Sequence, residues 1–89
     1  MVVAVTPTKA SGDRFWIAKV TFIKTNNLLV YHIQYYNYNK TKKCWVIMKE
    51  KQAYGTCPHD AIIAANIEFN NNMTIKSASI DLINKSLVE

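Results

Sequence analysis

Apolar and polar residues alternate along two consecutive stretches of the first half of the chain, with the period of two that half-buried β-strands show. These stretches run from Phe15 to Lys24 and from Leu28 to Tyr36, and a short third strand is predicted from Cys44 to Met48. Asn26-Asn27 separates the first two, and Asn tolerates the positive φ of a tight turn better than most residues. The pattern predicts a three-stranded antiparallel meander that opens with a hairpin. Its expected core aromatic residues are Trp16, Phe22, Tyr31 and Tyr35.

The second half of the chain carries weaker strand patterns and one helix pattern. Residues 61–69 alternate as a strand does, although their alanines also suit a short helix, and we favour the strand because the turn-forming run Asn70–Asn72 follows it. Residues 73–75 are a candidate edge strand, whereas residues 54–60 have the Gly and Pro of a loop. A C-terminal helix is predicted over about residues 78–88. It is indicated by a cap at Ser77 or Ser79 and by the apolar stripe Ile80, Leu82, Ile83 and Leu87.

Length and composition indicate one small, mainly β domain. The chain has 89 residues, is 49% hydrophobic and has only two Gly and two Pro, which argues against disorder and collagen-like repeats. Residues 1–12 show no period, so we expect a flexible N-terminal segment before a domain spanning residues 13–89. No apolar run approaches the roughly 20 residues that span a bilayer. We therefore expect an intracellular protein with no membrane partner.

A resemblance to chromatin-reader modules covers residues 12–69. Residues 12–20, Gly-Asp-Arg-Phe-Trp-Ile-Ala-Lys-Val, resemble the first strand of Tudor, PWWP and bromo-adjacent-homology domains. Residues 30–36 together with Trp45 are similar to the second and third strands of chromodomains, and residues 58–64 resemble a later strand of bromo-adjacent-homology domains. The resemblance implies an SH3-like bent-sheet barrel of four to five antiparallel strands with one C-terminal helix. It also implies a nuclear protein that binds a histone tail or another peptide through methylated lysine.

Reading methylated lysine requires an open box of aromatic rings whose faces attract a desolvated ammonium group. Successive strand residues point to opposite faces, so Phe15 and Tyr36 should face outward if their neighbours Trp16 and Tyr35 face the core. Trp45 follows a Lys-rich turn and is expected near the rim of the barrel. The alternative is that these outward rings belong to the core. The predicted ligand-binding cluster is Phe15, Tyr36, Tyr38 and Trp45.

Positive charge is concentrated in one part of the chain. The net charge is +5, and Glu50 is the single acidic residue between Arg14 and Tyr54. Lysines interleaved with aromatic residues are typical of β-barrels that bind nucleic acid, with ammonium groups on phosphates and rings under bases. A second interpretation is therefore a nonspecific DNA- or RNA-binding barrel similar to the C-terminal domain of retroviral-type integrases. Its predicted contacts are Lys19, Lys40, Lys42 and Lys43, and the alternative is a merely solvated basic face.

Enzyme and metal chemistry find little support in the sequence. Cys44, Cys57, His32 and His59 lack the paired spacing of a zinc site, so we expect no metal and interpret the cysteines as small apolar groups. Cys57 with His59 lacks a third, orienting group, and neither a phosphate-binding Gly loop nor a carboxylate pair is visible. We expect a non-enzymatic binding module without a cofactor. A protein-interaction or assembly domain is the third interpretation.

Overall fold

The fold is a bent antiparallel sheet that carries one helix, seen in a computed structural model that describes residues 1–8, 11–26 and 28–87. The predicted mainly β class with a single C-terminal helix is confirmed for this part of the chain. Short 3₁₀ turns precede the last two strands, at Lys51–Ala53 and His59–Ala61. The elements are β1 (Val2–Val5), β2 (Trp16–Asn26), β3 (Leu28–Asn39), β4 (Cys44–Ile47), β5 (Tyr54–Pro58), β6 (Ile62–Ala64) and α1 (Ser77–Leu87).

The sheet has the order β4-β3-β2-β1-β6, and β5 also pairs with β3. β5 pairs along Val30–Gln34 and β4 along Tyr36–Asn39. Because β2 occupies the other edge of β3, β4 and β5 follow one another along the same edge as two halves of an interrupted strand. Among the described residues β6 pairs with neither half. The sheet is therefore bent but open, where a closed barrel would join its two ends.

Both faces of the sheet are buried at its centre. Ile17 and Ala18 are both fully buried although neighbouring strand residues point to opposite faces. One face forms the inner core, where β1 meets Cys57 of β5 across two intervening strands because the sheet bends. The other face forms the helix-side core beneath α1. The inner core contains Val3, Val5, Ala18, Tyr31, Ile33 and Cys57, and the helix-side core contains Ala4, Ile17, Ala64, Ile67 and Ile83.

β1 departs most from what the sequence predicts. The expected flexible segment over residues 1–12 is wrong for Val2–Val5, which lies between β2 and β6 with Val5 opposite Trp16 and Ala4 opposite Ala64. Residues 3–5 are no more than 1% exposed. A strand that is buried on both faces needs no polar positions. It therefore has no alternation by which the sequence could reveal it.

Two later segments also differ from prediction. Residues 54–60, expected as a loop, contain β5, whose Pro58 is its last residue and so needs no further ladder hydrogen bond. The strand predicted over residues 61–69 is shortened to β6 because Asn66 adopts a left-handed conformation, with φ 57°, and turns the chain out of the sheet. The candidate edge strand at residues 73–75 is reduced to one bridge between Phe69 and Ile75.

A β-bulge at Thr21 overturns the expected core position of Phe22. Val20 pairs with Ile33 and Phe22 pairs with His32, so β2 has one residue more than β3 at this point. Beyond the bulge Phe22 lies on the same face as His32 and is 59% exposed. The hairpin itself is present, with β2 ending at Asn26 and β3 beginning at Leu28; the predicted turn residue Asn27 lies outside the described residues.

α1 begins at Ser77 and buries Ile83 completely in the helix-side core. Ser79, one of the two predicted caps, lies inside the helix, where its Oγ accepts the backbone N–H of Glu68 at 2.9 Å. Leu82, predicted on the apolar stripe, is exposed. The predicted end of the helix at residue 88 lies outside the described residues. The helix is thus held to the sheet by fewer apolar side chains than its sequence stripe indicates.

Truncating a β1 side chain tests whether this strand belongs to the folded core. Val3→Ala removes two fully buried methyl groups and should lower the free energy of unfolding by about 2 kcal/mol, from lost transfer energy plus a cavity. Urea denaturation followed by circular dichroism measures the change. The control is Thr8→Ala at an exposed position, with an expected change within about 0.5 kcal/mol. Equal midpoints for the two variants would contradict the placement of β1.

Candidate aromatic ligand site

The candidate site lies where the sheet divides beside β3. The β2–β3 ladder reaches only to Ala18 opposite Tyr35, whereas the β3–β4 ladder begins with Tyr36 opposite Ile47. The chain that leads into β2 is therefore separated from the far end of β3. A groove of about 430 Å³ opens between them, within the usual size range of small-ligand pockets. We call it the aromatic groove; its aromatic walls are Phe15, Trp16, Tyr35, Tyr36, Tyr38 and Trp45.

All four predicted aromatic residues line this groove. Trp45 contacts two of the others: it is stacked on Phe15 at a ring-centroid distance of 6.3 Å and met edge-on by Tyr38 at 5.3 Å. Tyr36 packs instead against Phe69, at 5.2 Å. Aromatic pairs at such distances attract one another beyond the burial of their area. Phe15, Trp45 and Tyr38 thus form one connected stretch of wall, and Tyr36 lines the groove apart from it.

Trp16 and Tyr35 also line the groove, although alternation assigns them to the core face opposite Phe15 and Tyr36. They contact each other edge-on at 5.6 Å and pack against the inner core. Both faces of the sheet contribute because the ladders stop here and the groove reaches around the ends of the strands. The sequence contains no marker of this division, so alternation assigns these two aromatic candidates to the core and not to the groove.

Trp45 is more firmly held than a residue at an open rim. It is half-buried against the helix-side core, and its backbone N–H donates to the carbonyl oxygen of Met73 at 2.9 Å. Met73 has a positive φ of 61°, in a turn where Asn72 Oδ1 accepts the hydroxyl of Thr74 at 2.6 Å. The face of the sheet on which Trp45 was expected to be exposed is therefore also buried, by the helix-side core. Tyr38, 41% exposed, is the wall residue most open to a ligand.

Asp13 and Lys40 bring one charge of each sign to the groove. Asp13 Oδ2 accepts the indole N–H of Trp16 at 2.8 Å, which orients the tryptophan and leaves further acceptor positions on the carboxylate. Gln52 also lines the groove and adds an amide. Neither Asp13 nor Gln52 is among the residues that the sequence predicts for a site. The one feature of the sequence that could indicate Asp13 is its position three residues before Trp16.

Three of the four predicted lysines lie together in the turn between β3 and β4. Asn39 Oδ1 accepts the backbone N–H groups of Thr41 and Lys42 at 3.0 and 2.9 Å, and Lys43 adopts a positive φ of 54°. These are the features of a turn stabilised by an Asn side chain. Lys40, Lys42 and Lys43 are all exposed, and Lys40 reaches the groove. Lys19 is in the middle of β2, opposite Gln34, and is not part of this turn.

The two adjacent tyrosines of β3 have perturbed acidities. Burial raises the pKa of Tyr36 above its ordinary value. The pKa of Tyr35 is raised by burial, which is the larger cause, and by repulsion from a Cys57 thiolate. Burial also raises the pKa of the Cys57 thiol. Both phenols therefore stay neutral at physiological pH. They can donate a hydrogen bond to a ligand without bringing negative charge to the groove.

Metal chemistry has no site in residues 1–8, 11–26 and 28–87, where no three His, Cys, Asp or Glu side chains converge. Cys57 is buried in the inner core and Cys44 is half-buried at the start of β4; both are free thiols. His59 Nδ1 lies 3.1 Å from the hydroxyl of Tyr31, on the face away from Trp45.

Among the described helical residues, no helix combines the length and apolar character needed to cross a bilayer.

Comparison with known proteins identifies no relative of this chain. No protein-family model matches it, and no curated protein and no solved structure matches it either. The likeness to Tudor, chromo, PWWP and bromo-adjacent-homology domains therefore stays a resemblance in residue types. The function has to be argued from the geometry and charge of the aromatic groove.

The raised tyrosine pKa values predict how stability changes at alkaline pH. A phenol whose pKa is higher in the folded than in the unfolded chain stabilises the fold below its unfolded pKa, about 10, and loses that effect as the pH rises through its folded pKa. We expect the urea midpoint to fall above about pH 10. Tyr35→Phe with Tyr36→Phe should reduce the fall. Absorbance titration near the phenolate band, compared with the urea-unfolded chain, should show late ionisation; coincident curves would contradict it.

Proposed function

We propose that this domain is a non-enzymatic module that binds single-stranded nucleic acid in the aromatic groove. The observation that carries the proposal is that Lys40 lines the same groove as Tyr38 and Trp45, with Lys42 and Lys43 in the adjoining turn. Rings under bases and ammonium groups on phosphates are the two elements of single-strand binding. A single strand is favoured over a duplex because only unstacked bases offer free faces to the rings.

The charge of the chain supports a polyanionic ligand. The net charge is +5, and from Arg14 to Tyr54 the chain carries only one acidic residue, Glu50. A basic histone tail would meet like charges at the Lys40–Lys43 turn, which lowers both affinity and association rate. Phosphates would meet opposite charges there and release their condensed counterions. Lysine contacts are point charges, so the expected binding is weakly sequence-specific.

A methylated-lysine peptide is the second candidate, and Asp13 is the observation that favours it. Its carboxylate lies on the groove beside Trp16 and would balance a bound ammonium group. Against it, Phe15 and Tyr38 pack directly on Trp45, so these rings turn part of their surface toward one another. A cage needs free ring faces around the cation. The nucleic-acid proposal requires only that one face of the wall remains open.

The lysine turn can be tested by the salt dependence of binding. Each neutralised phosphate of a single strand contributes about −0.7 to the slope of log affinity against log salt. Replacing Lys40, Lys42 and Lys43 with Ala should reduce the slope for a fluorescent oligothymidine by up to about 2. Lys24→Ala with Lys85→Ala, at positions that do not line the groove, is the control and should leave both the affinity and the slope nearly unchanged. An unchanged slope in the triple variant would show that the turn does not contact phosphate.

Tyr38→Ala tests the aromatic wall without removing a buried side chain. Loss of one stacked base costs about 1–3 kcal/mol, so the oligonucleotide should bind roughly 5- to 150-fold more weakly. Stability should change by less than about 1 kcal/mol because Tyr38 is exposed. The control is Tyr54→Ala, similarly exposed on β5 but outside the groove.

The same titration includes a trimethyl-lysine peptide and its unmodified form. The second candidate would replace the proposal if the chain bound no oligonucleotide and preferred the methylated peptide, and if Tyr38→Ala abolished that preference. Binding of neither ligand would favour the protein-interaction or assembly domain. Trp45→Ala is less informative, because truncating a half-buried tryptophan can cost about 3–5 kcal/mol of stability.

A further inference from the structure

In the part of the chain that the structure describes, the outer edge of β2 has no partner strand toward the tip of its hairpin. β1 pairs with β2 only along Trp16–Lys19, and the N–H of Val20 donates to the carbonyl oxygen of Met1 at 2.8 Å. Beyond that point, none of the described strands pairs with the outer edge of residues 21–26. In an antiparallel ladder every second residue directs its N–H and C=O away from its partner strand. This edge is therefore a template for another strand.

The same part of the hairpin exposes large apolar side chains. Phe22 is 59% exposed, Leu28 is 76% exposed, and Ile23 and Leu29 are also exposed. The only charged side chain on the strand here is Lys24. Natural sheet edges are usually protected by several charges, by Pro, by a bulge or by a covering loop. Here the bulge at Thr21 lies at one end of the segment, and residues 22–26 pair regularly with β3. An apolar edge of this kind is characteristic of an interface.

The exposed strand is nearly self-complementary in sequence. Residues 21–25 read Thr-Phe-Ile-Lys-Thr. If two copies pair antiparallel about a two-fold axis at Ile23, Ile23 faces its own copy, Phe22 faces Lys24 and Thr21 faces Thr25. Apolar, Thr–Thr and cation–aromatic pairs are all favourable across strands. No exposed residue of the segment is left opposite a like charge.

We propose that two copies of this chain associate through this edge of β2, so that their sheets join into one across a two-fold axis. A second copy is favoured over an unrelated strand because this one segment supplies both members of each favourable pair, as a self-complementary isologous interface requires. The axis at Ile23 lies seven residues from Trp16, about 23 Å along the strand. The aromatic groove therefore remains open in the dimer. This association does not depend on what the groove binds.

Sedimentation velocity over a concentration series up to about 1 mM should show reversible dimerisation of the full chain. Phe22→Lys places a lysine opposite Lys24 twice and should weaken the dimer on the order of tenfold. Phe22→Glu places an acid there instead and should keep the dimer, now weakened by salt. Lys24→Glu added to Phe22→Lys should restore it. Circular dichroism melting checks that these exposed substitutions leave the fold intact.

Leu82→Lys is the matched control for added charge, since Leu82 is exposed on α1 and is not part of the edge of β2. It should leave dimerisation unchanged. A chain that stays monomeric at every concentration overturns the proposal, as does a dimer that Phe22→Lys and Phe22→Glu affect equally. A monomer that instead cosediments with phosphatidylserine vesicles also overturns it, because the apolar tip would then be a lipid contact.

Discussion

The structure depends on a mismatch of length between β3 and its neighbours. β3 has 12 residues, whereas β4 and β5 have four and five, so the edge of β3 opposite β2 is shared by two short strands. On its other edge β2 departs before β3 ends, with the last pair at Ala18 and Tyr35. A strand that extends beyond its partner strands leaves some of its side chains without neighbours on either face of the sheet. The aromatic residues at this end of β3 fill that space incompletely, and the aromatic groove is what remains.

The sequence predicts those parts of the fold in which polar and apolar residues alternate along a strand. β2 and β3 have one face more polar than the other, so their period of two is visible in the sequence, whereas β4 is a short apolar run. β1 consists of small apolar residues buried on both faces and has no period to detect. The bulge at Thr21 reverses the phase of alternation within β2, which is why Phe22 was assigned to the wrong side. Local irregularities of this kind depend on tertiary pairing.

The candidate site was predictable in its residue types and less so in its geometry. Phe15, Tyr36, Tyr38 and Trp45 do come together, because their strands are neighbours and their spacing places them at one end. Trp16 and Tyr35 join them only because the sheet divides, which no residue pattern indicates. The lysine turn was visible as composition. Its orientation depends on Asn39, whose two backbone contacts a sequence does not show.

The central place of β1 also constrains how the chain folds. β2, β3 and β4 follow one another along the sequence and can pair through short turns, so we expect them to form early. β1 is completed only when Ala4 meets Ala64, which closes a loop of some 60 residues and carries a larger entropic cost. During synthesis, β1 leaves the ribosome before β6 and must therefore wait for the last of the six described strands. Until β6 arrives, one edge of β1 is open to pairing with other nascent chains.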